Sequence, residues 1–409
     1  MAAPKRAKVR PGKPAPLAAF VADCHIGNHA RHGGPLIDGL NRRGRESVAA
    51  LRRAVQLAKE RRCWAFVVCG DLFHVPRPEP AIIRAVQDVF READPMKVLL
   101  IPGNHDMPDA TATSGNTAMA PLFDPAVVGA NVDVVREARW IHYPGVSVMA
   151  IPFWGADPMS AHVAATMEHL TDPERDGRDQ HGAPGTKSLE GADPIRVAAI
   201  HVGLWDGDDA APWQRKARDG MEGEALLNLM RQGKIDVSFV GNYHEHRMWI
   251  GGADSPKHPK RLACQVGTLA PHGHGDGGVL GRGLMGFLEH DGEVTMALVP
   301  GPRFVTVVDP KELPAGGEDG FAYYVRARGA AAAAFRGKDL AALGIYAAFE
   351  IEAEAPSVEA ELDAAEGRRA PRAETDEGAI EGFVGGMVLP DGLDRAKVLD
   401  LALDCWKRA

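Results

Sequence analysis

Acidic and imidazole side chains recur where apolar runs of this chain end. FVADCH carries Asp23 and His25, VVCGDLFH carries Asp71 and His74, and LLIPGNHD carries Asn104, His105 and Asp106. VAAIHVG adds His201, and GNYHEH at 241–246 adds His244 and His246. Taken alone, each fragment reads as turn chemistry, because Gly, Asn and Asp favour turn conformations, or as a satisfied core histidine. Brought together, buried carboxylates and imidazoles would repel one another or stay unpaired, at a cost of several kcal/mol. Divalent cations would turn the same groups into ligands.

The elements that must position these residues are legible as apolar runs. PLAAFVA (16–22), WAFVVC (64–69), KVLLI (97–101), VSVMAI (146–151), IRVAAI (195–200) and DVSFV (236–240) predict buried strands. Between the first two, Val48, Leu51 and Val55 fall at helical spacing. Between the second and third, PEPAIIRAVQDVF opens on prolines suited to a helix start. Strands alternating with helices indicate an α/β sheet. In such sheets ligands bind at the carboxyl ends of strands, where all the residues named above lie.

Residues 157–194 and 206–220 are rich in charge, Gly and Pro and read as insertions or long loops. The texture changes near residue 302. FAYYVRARG, an Ala-rich stretch and IYAAFEIEAEA predict strand, helix and strand in a small appended α/β domain. The expected organisation is a disordered basic tail (1–16), a core (17–302), a cap (303–355), and an acidic linker with a terminal helix (356–409).

Composition sets outer bounds. A net charge of −8 argues against a protein that coats nucleic acid generally, although it leaves room for a local basic groove. The five cysteines form no CxxC pair, so neither a disulfide framework nor a zinc knuckle is expected, and a reducing, cytoplasmic setting fits. No apolar run approaches the length of a membrane span.

D-x-H, G-D, G-N-H-D, a later His and a terminal H-x-H, in this order, resemble the calcineurin-like metallophosphoesterases over roughly residues 17–300. The resemblance implies a β-sandwich flanked by helices and a site for two divalent cations, with manganese expected and magnesium, iron or zinc as alternatives. It implies that Asp23, His25 and a late histidine hold one cation, that Asn104, His201 and another late residue hold the second, and that Asp71 bridges them. Such a pair activates a water and polarises a phosphoryl oxygen. His105, beside Asn104, is then the expected general acid, with Asp106 either orienting it or capping a turn.

Three features resemble the SbcD-type DNA exonuclease branch of that family. GDLFH places His74 near Asp71, where a histidine is expected to position a DNA phosphate. Residues 27–62 carry nine Arg and Lys against three acids, either a solvated face or a lining for phosphates. CQVGTLAPHGHGDGG (264–278), followed by the small appended domain, resembles the end of the core and the cap of those nucleases. This resemblance implies DNA as substrate, a homodimer and an SbcC-like coiled-coil ATPase as partner. The acidic linker and terminal helix, with Leu399, Leu403 and Trp406 near one face, would be the docking segment. A phosphatase acting on a small molecule or phosphoprotein is the alternative.

Two local readings stay open. The family motif is G-H-x-H, whereas this chain has Gly241 followed by Asn242, Tyr243, His244, Glu245 and His246. Holding the glycine fixed makes Asn242 and His244 the pair; holding the chemistry fixed makes it His244 and His246. The paired imidazoles are the preferred reading, because imidazole is the better transition-metal ligand. His272 and His274 read as exposed loop histidines, with contact to substrate as the alternative, and strand alternation turns Cys24 away from the site.

Overall fold

The computed structural model describes residues 15–108, 117–122, 124–170, 194–207, 218–252, 260–274, 276, 283–312, 320–335, 339–350, 396, 397 and 399. The chain divides into two compact units, Met1–Glu350 and Ile351–Ala409. Residues 1–14 of the expected basic tail lie outside the described residues, as does nearly all of the expected linker and terminal helix.

The strands, in chain order, are β1 (Ala18–Val21), β2 (Ala65–Cys69), β3 (Lys97–Ile101), β4 (Val132–Val134), β5 (Arg139–Tyr143) and β6 (Val146–Ile151). They continue with β7 (Ile195–His201), β8 (Gly203–Trp205), β9 (Gly220–Glu222), β10 (Val237–Gly241), β11 (Arg247–Gly251) and β12 (Arg261–Gln265). Last come β13 (Gly283–Leu288), β14 (Val294–Val299), β15 (Arg303–Val307), β16 (Tyr323–Arg328) and β17 (Ile345–Glu350). The helices are α1 (Arg42–Glu60), α2 (Pro80–Glu92), α3 (Pro125–Val128), α4 (Met159–His169), α5 (Gly223–Gln232) and α6 (Gly329–Phe335).

Two six-stranded sheets form the centre, in the orders β14-β13-β1-β2-β3-β4 and β11-β12-β10-β7-β6-β5. Strand alternation explains why the central runs are apolar throughout. In β1, β2 and β3 the odd-and-even partition sends Val21, Phe66, Val68, Val98 and Leu100 toward α1 and α2. Phe20, Val67 and Leu99 face the second sheet, where they meet Val148, Ala199 and Phe239. Phe20 stacks on Phe239 with ring centroids 3.7 Å apart, which ties the sheets together at their middle strands. The outer face of the second sheet is covered by Met159, Val163 and Met167 of α4 and by Leu226, Leu227 and Met230 of α5. The result is an α/β sandwich flanked by helices on both sides.

The stretch expected to be a loop from 157 onward is thus partly helical. Met159, Val163 and Met167 are spaced for one helical face, which a reading by charge and proline content overlooks. Beyond residue 302, β15-β16-β17 make a separate parallel three-stranded sheet with α6 on it. That sheet belongs to the same compact unit as the sandwich. It is held to α1 by Glu46, whose carboxylate accepts the Ala322 amide at 3.0 Å and the Tyr324 hydroxyl at 2.6 Å. Arg43 lies over the Phe304 and Tyr324 rings, 4.6 and 4.7 Å from their centroids.

Candidate metal centre

The carboxyl ends of β1, β2, β3, β7 and β10 meet at one edge of the sandwich, and the chain turns sharply as it leaves them. Asp23, His25, Asp71 and Asn242 all have positive φ (50°, 42°, 51° and 102°), which L-residues other than Asn and Asp rarely adopt. The neighbouring glycines are there for space. A Cβ at Gly70 would stand 1.9 Å from Nδ1 of His201, and one at Gly103 would stand 2.2 Å from Oδ1 of Asp71. The G-D and G-N-H-D motifs therefore pair each functional residue with the gap it needs.

At one position Asp23, His25 and Asp71 bring their ligand atoms within 4.8 Å of one another. Nε2 of His25 faces Nε2 of His244 at 3.1 Å and Oδ2 of Asp71 at 3.5 Å. At the second position Nε2 of His201 faces Oδ1 of Asn104 at 2.7 Å and Oδ1 of Asp71 at 3.4 Å. Asp71 thus lies between the two groups. Its Oδ1 also accepts the His105 amide at 2.8 Å.

The tautomers decide what these contacts mean. Nδ1 of His201 donates to the Cys69 carbonyl at 3.0 Å, so in the neutral ring Nε2 carries a lone pair toward the Asn104 oxygen. Nδ1 of His244 pairs with Oδ1 of Asp276 at 2.7 Å, which turns the His244 Nε2 lone pair toward His25. Nδ1 of His25 is buried without a hydrogen-bond partner among the described residues. Lone pairs facing acceptor atoms at such distances repel unless something positive lies between them, and the donor set of carboxylate, imidazole and amide oxygen suits divalent transition metals. The residues fit two cations.

Without cations, protons take their place: against the opposing effect of burial, the Asp71 carboxylate pushes His201 up to about 10 and the Asp276 hydrogen bond raises His244. Burial, opposed in part by His244 and His201, pushes the Asp23 carboxyl up to about 6. Burial and then the neighbouring Asp71 push Asp106 up to about 7. Burial, followed by the surrounding imidazoles, holds His25 well below its usual range, so it stays neutral and able to coordinate.

The other expected site residues separate into those at the group and those beside it. His74 and His105 join His25 in a second cluster within 4.8 Å, with His105 exposed and its Nδ1 donating to the His74 carbonyl at 3.0 Å. Asp106 takes the turn-cap alternative. Its buried carboxylate accepts the amides of Leu72, Phe73 and Gly103 at 2.9–3.2 Å, which joins the G-D and G-N-H-D turns to each other. No hydrogen bond from it to the His105 ring occurs among the described residues. The register of GNYHEH follows the glycine rather than the paired imidazoles. The Asn242 backbone N–H donates to both carboxylate oxygens of Asp23 at 2.9 and 3.1 Å, its side-chain Nδ2 donates to the Asp219 carbonyl at 2.8 Å, and His244 reaches His25. Nδ1 of His246 instead donates to the Gln265 carbonyl at 2.8 Å, and His246 belongs to none of the metal-holding groups among the described residues. The left-handed turn at Asn242 is what sets this register, and a reading by ligand strength does not see it.

A profile of the calcineurin-like phosphoesterases matches residues 17–248, more than half of the chain and all the motifs just described. The chain belongs to that family.

It is a metal-dependent phosphoesterase with the family's mixed α/β fold. Among solved structures the fold is similar to TT1561 of Thermus thermophilus, at a TM-score of 0.42 and 10% identity over 69% of this chain and 99% of that one. A dimetal phosphatase from Danio rerio gives 0.37 and 12% over 69% and 96%. Nuclease MPE of Pseudomonas putida gives 0.22 and 27% over 34% and 55%. No curated protein sequence matches the chain. No helix among the described residues is long and apolar enough to cross a membrane.

The phosphoesterase site also gathers residues that motif reading passes over. His272 brings a ring nitrogen within 4.8 Å of those of His25 and His244, and Asp276 holds His244. His29 lies 4.1 Å from the His74 ring, centroid to centroid. The glycines of PHGHGDGG made that stretch read as a solvated loop. The signal that was present is a His and an Asp four residues apart within it.

Proposed function

We propose that this phosphoesterase is a DNA nuclease of the SbcD type, cutting phosphodiesters in repair or recombination. The observation that supports it best is a cleft of about 630 Å³ between α1 and the C-terminal sheet, lined by Arg42, Arg45 and Arg53 together with Phe321, Leu343 and Tyr346. The same helix reaches toward the metal centre, where Arg43 donates to the Pro271 carbonyl beside His272. A small phosphoester would occupy the centre alone. A polynucleotide carries further phosphates, and guanidinium groups suit them.

Two divalent cations, when bound, would supply Lewis acidity and a nucleophilic water. Asp23, His25, Asp71 and His244 would hold one; Asp71, Asn104 and His201 would hold the other. His105 is anchored through Nδ1, so Nε2 is the nitrogen that exchanges a proton, and it would protonate the leaving oxygen. His74, stacked at 6.0 Å from His105, would position the phosphate from the exposed side. Manganese as the working cation, a homodimer and an SbcC-like coiled-coil ATPase are parts of the same reading. The docking segment it assigns, 356–382 and 393–407, falls outside the described residues apart from 396, 397 and 399.

Assays on linear duplex DNA, a circular single strand and a small bis-phosphodiester test the proposal, with Arg45→Glu/Arg53→Glu protein alongside. Hydrolysis of all DNA forms should fall at least tenfold in that variant while the small diester is cut at the wild-type rate. Equal rates on every substrate would favour a small-molecule phosphatase.

A further inference from the structure

We propose that His272 is a further cation ligand at the Asp23–His25 position, with Asp276 the positioning residue that places both it and His244. The proposal rests on the cation-dependent reading of the site and assigns a loop outside the ligand motifs to it.

The loop arrives there for a topological reason. β12 runs parallel to β10 with Gln265 opposite Val240, so the chain leaving β12 emerges beside the turn that carries Asn242 and His244. It is then fastened to both ligand-bearing strand ends. The Thr268 amide donates to the His244 carbonyl at 3.1 Å, the Thr268 hydroxyl to the Asp23 carbonyl at 2.8 Å, and the Leu269 amide to the Ala22 carbonyl at 3.0 Å. Asp276 folds the far side back. Its Oδ2 accepts the amides of His272 and Gly273 at 2.6 and 2.8 Å, while Oδ1 pairs with Nδ1 of His244 at 2.7 Å.

A single carboxylate therefore fixes the tautomer of one imidazole and the backbone that carries another. The His272 ring ends 4.7 Å from that of His25 and 4.9 Å from that of His244, and the three ligand nitrogens lie within 4.8 Å of one another. The two positions are then unequal. Around His25, the first gathers His244 and His272 in one set of three ligand atoms and Asp23 and Asp71 in another. The second offers one imidazole, a shared carboxylate and the Asn104 amide oxygen among the described residues. Imidazole-rich sites hold later first-row divalent ions more tightly, so the first position fills before the second.

Titration of the full-length protein with Co²⁺ alone tests this, read by equilibrium dialysis with elemental analysis and by the visible Co²⁺ absorption. Wild-type protein should take up two ions in separated steps. His272→Ala and His272→Asn should weaken the tight step at least tenfold, shift its absorption band and leave the weak step in place. Asp276→Asn should weaken the tight step by about 10–100-fold, as loss of an outer partner does. A tight step and spectrum unchanged in both His272 variants would overturn the assignment. Absence of Co²⁺ uptake by the wild-type protein would overturn the cation reading beneath it, and circular dichroism of each variant identifies any loss of fold.

Discussion

At the scale of single residues, the site is a set of groups that are unfavourable apart and useful together. Replacing His105 by Ala should cut hydrolysis by about 10²–10⁴-fold while both cations stay bound, because its ring is anchored to the His74 carbonyl and not to Asp71. Parallel rate and stoichiometry measurements check this, and loss of a cation would remove the general-acid role. Asp71→Ala should be harsher, depleting both positions, since Asp71 faces His25 and His201 alike. His246→Ala should keep both cations, in line with its bond to Gln265. Most of the residues gathered here were legible, because type and order alone single out Asp23, His25, Asp71, Asn104, His201 and His244. Two placements were not: His246 lies beyond the positive-φ turn at Asn242 and bonds to Gln265, and His272 is brought beside His25 and His244 by a loop that Asp276 closes. Neither backbone handedness nor loop closure is written in residue type.

At the scale of elements, legibility followed burial only in part. The six strands expected from apolar runs in the sandwich are all interior. Its four edges, β4, β14, β5 and β11, lack such runs, and so do the interior β12 and β13, which are buried but carry Arg261, Gln265 and two glycines. An edge strand such as β11 is largely exposed, and β14 is mostly half-exposed, so neither needs a continuous apolar run. The junction between α1 and the C-terminal sheet gives a test that composition could not suggest. Burial, opposed in part by the Tyr324 hydrogen bond, raises the Glu46 carboxyl above its usual range. Its contribution to stability is therefore fully present below the ordinary carboxylate range and is lost as pH rises through the raised value. Glu46→Gln should flatten that dependence in denaturant melts taken from pH 4 to 8, while Tyr324→Phe, which strands one buried oxygen, should cost ~1–3 kcal/mol. Identical pH slopes for wild type and Glu46→Gln would mean that Glu46 does not titrate in the folded protein.

At the scale of the whole molecule, every residue assigned to the cations precedes 277, whereas the basic cleft needs the sheet beyond 302. A chain ending at residue 350 should bind cations and melt as one transition. A chain ending at 302 would uncover Arg43 and Glu46 at once and should melt lower, with weaker DNA cleavage relative to small-diester hydrolysis. Calorimetry and the paired assays distinguish the two truncations; indistinguishable melts would make the sheet a passive appendage. The change of texture near 302 marked the new sheet in the sequence. Its attachment was hidden, because one glutamate and one arginine inside a basic helix look like any other solvated charges.

The pairing of β1 with β13 has a consequence for how the protein is made. Phe20 lies opposite Gly286, so β1 leaves the ribosome long before the strand that covers its margin. At translation rates of about 5–20 residues per second, that wait is on the order of ten seconds to a minute. Meanwhile β5 to β12 can assemble their own sheet from a contiguous stretch of chain. The nascent chain therefore carries an open, apolar β1 margin beside a finished half-sandwich, which is where a holding chaperone or a misplaced strand would dock.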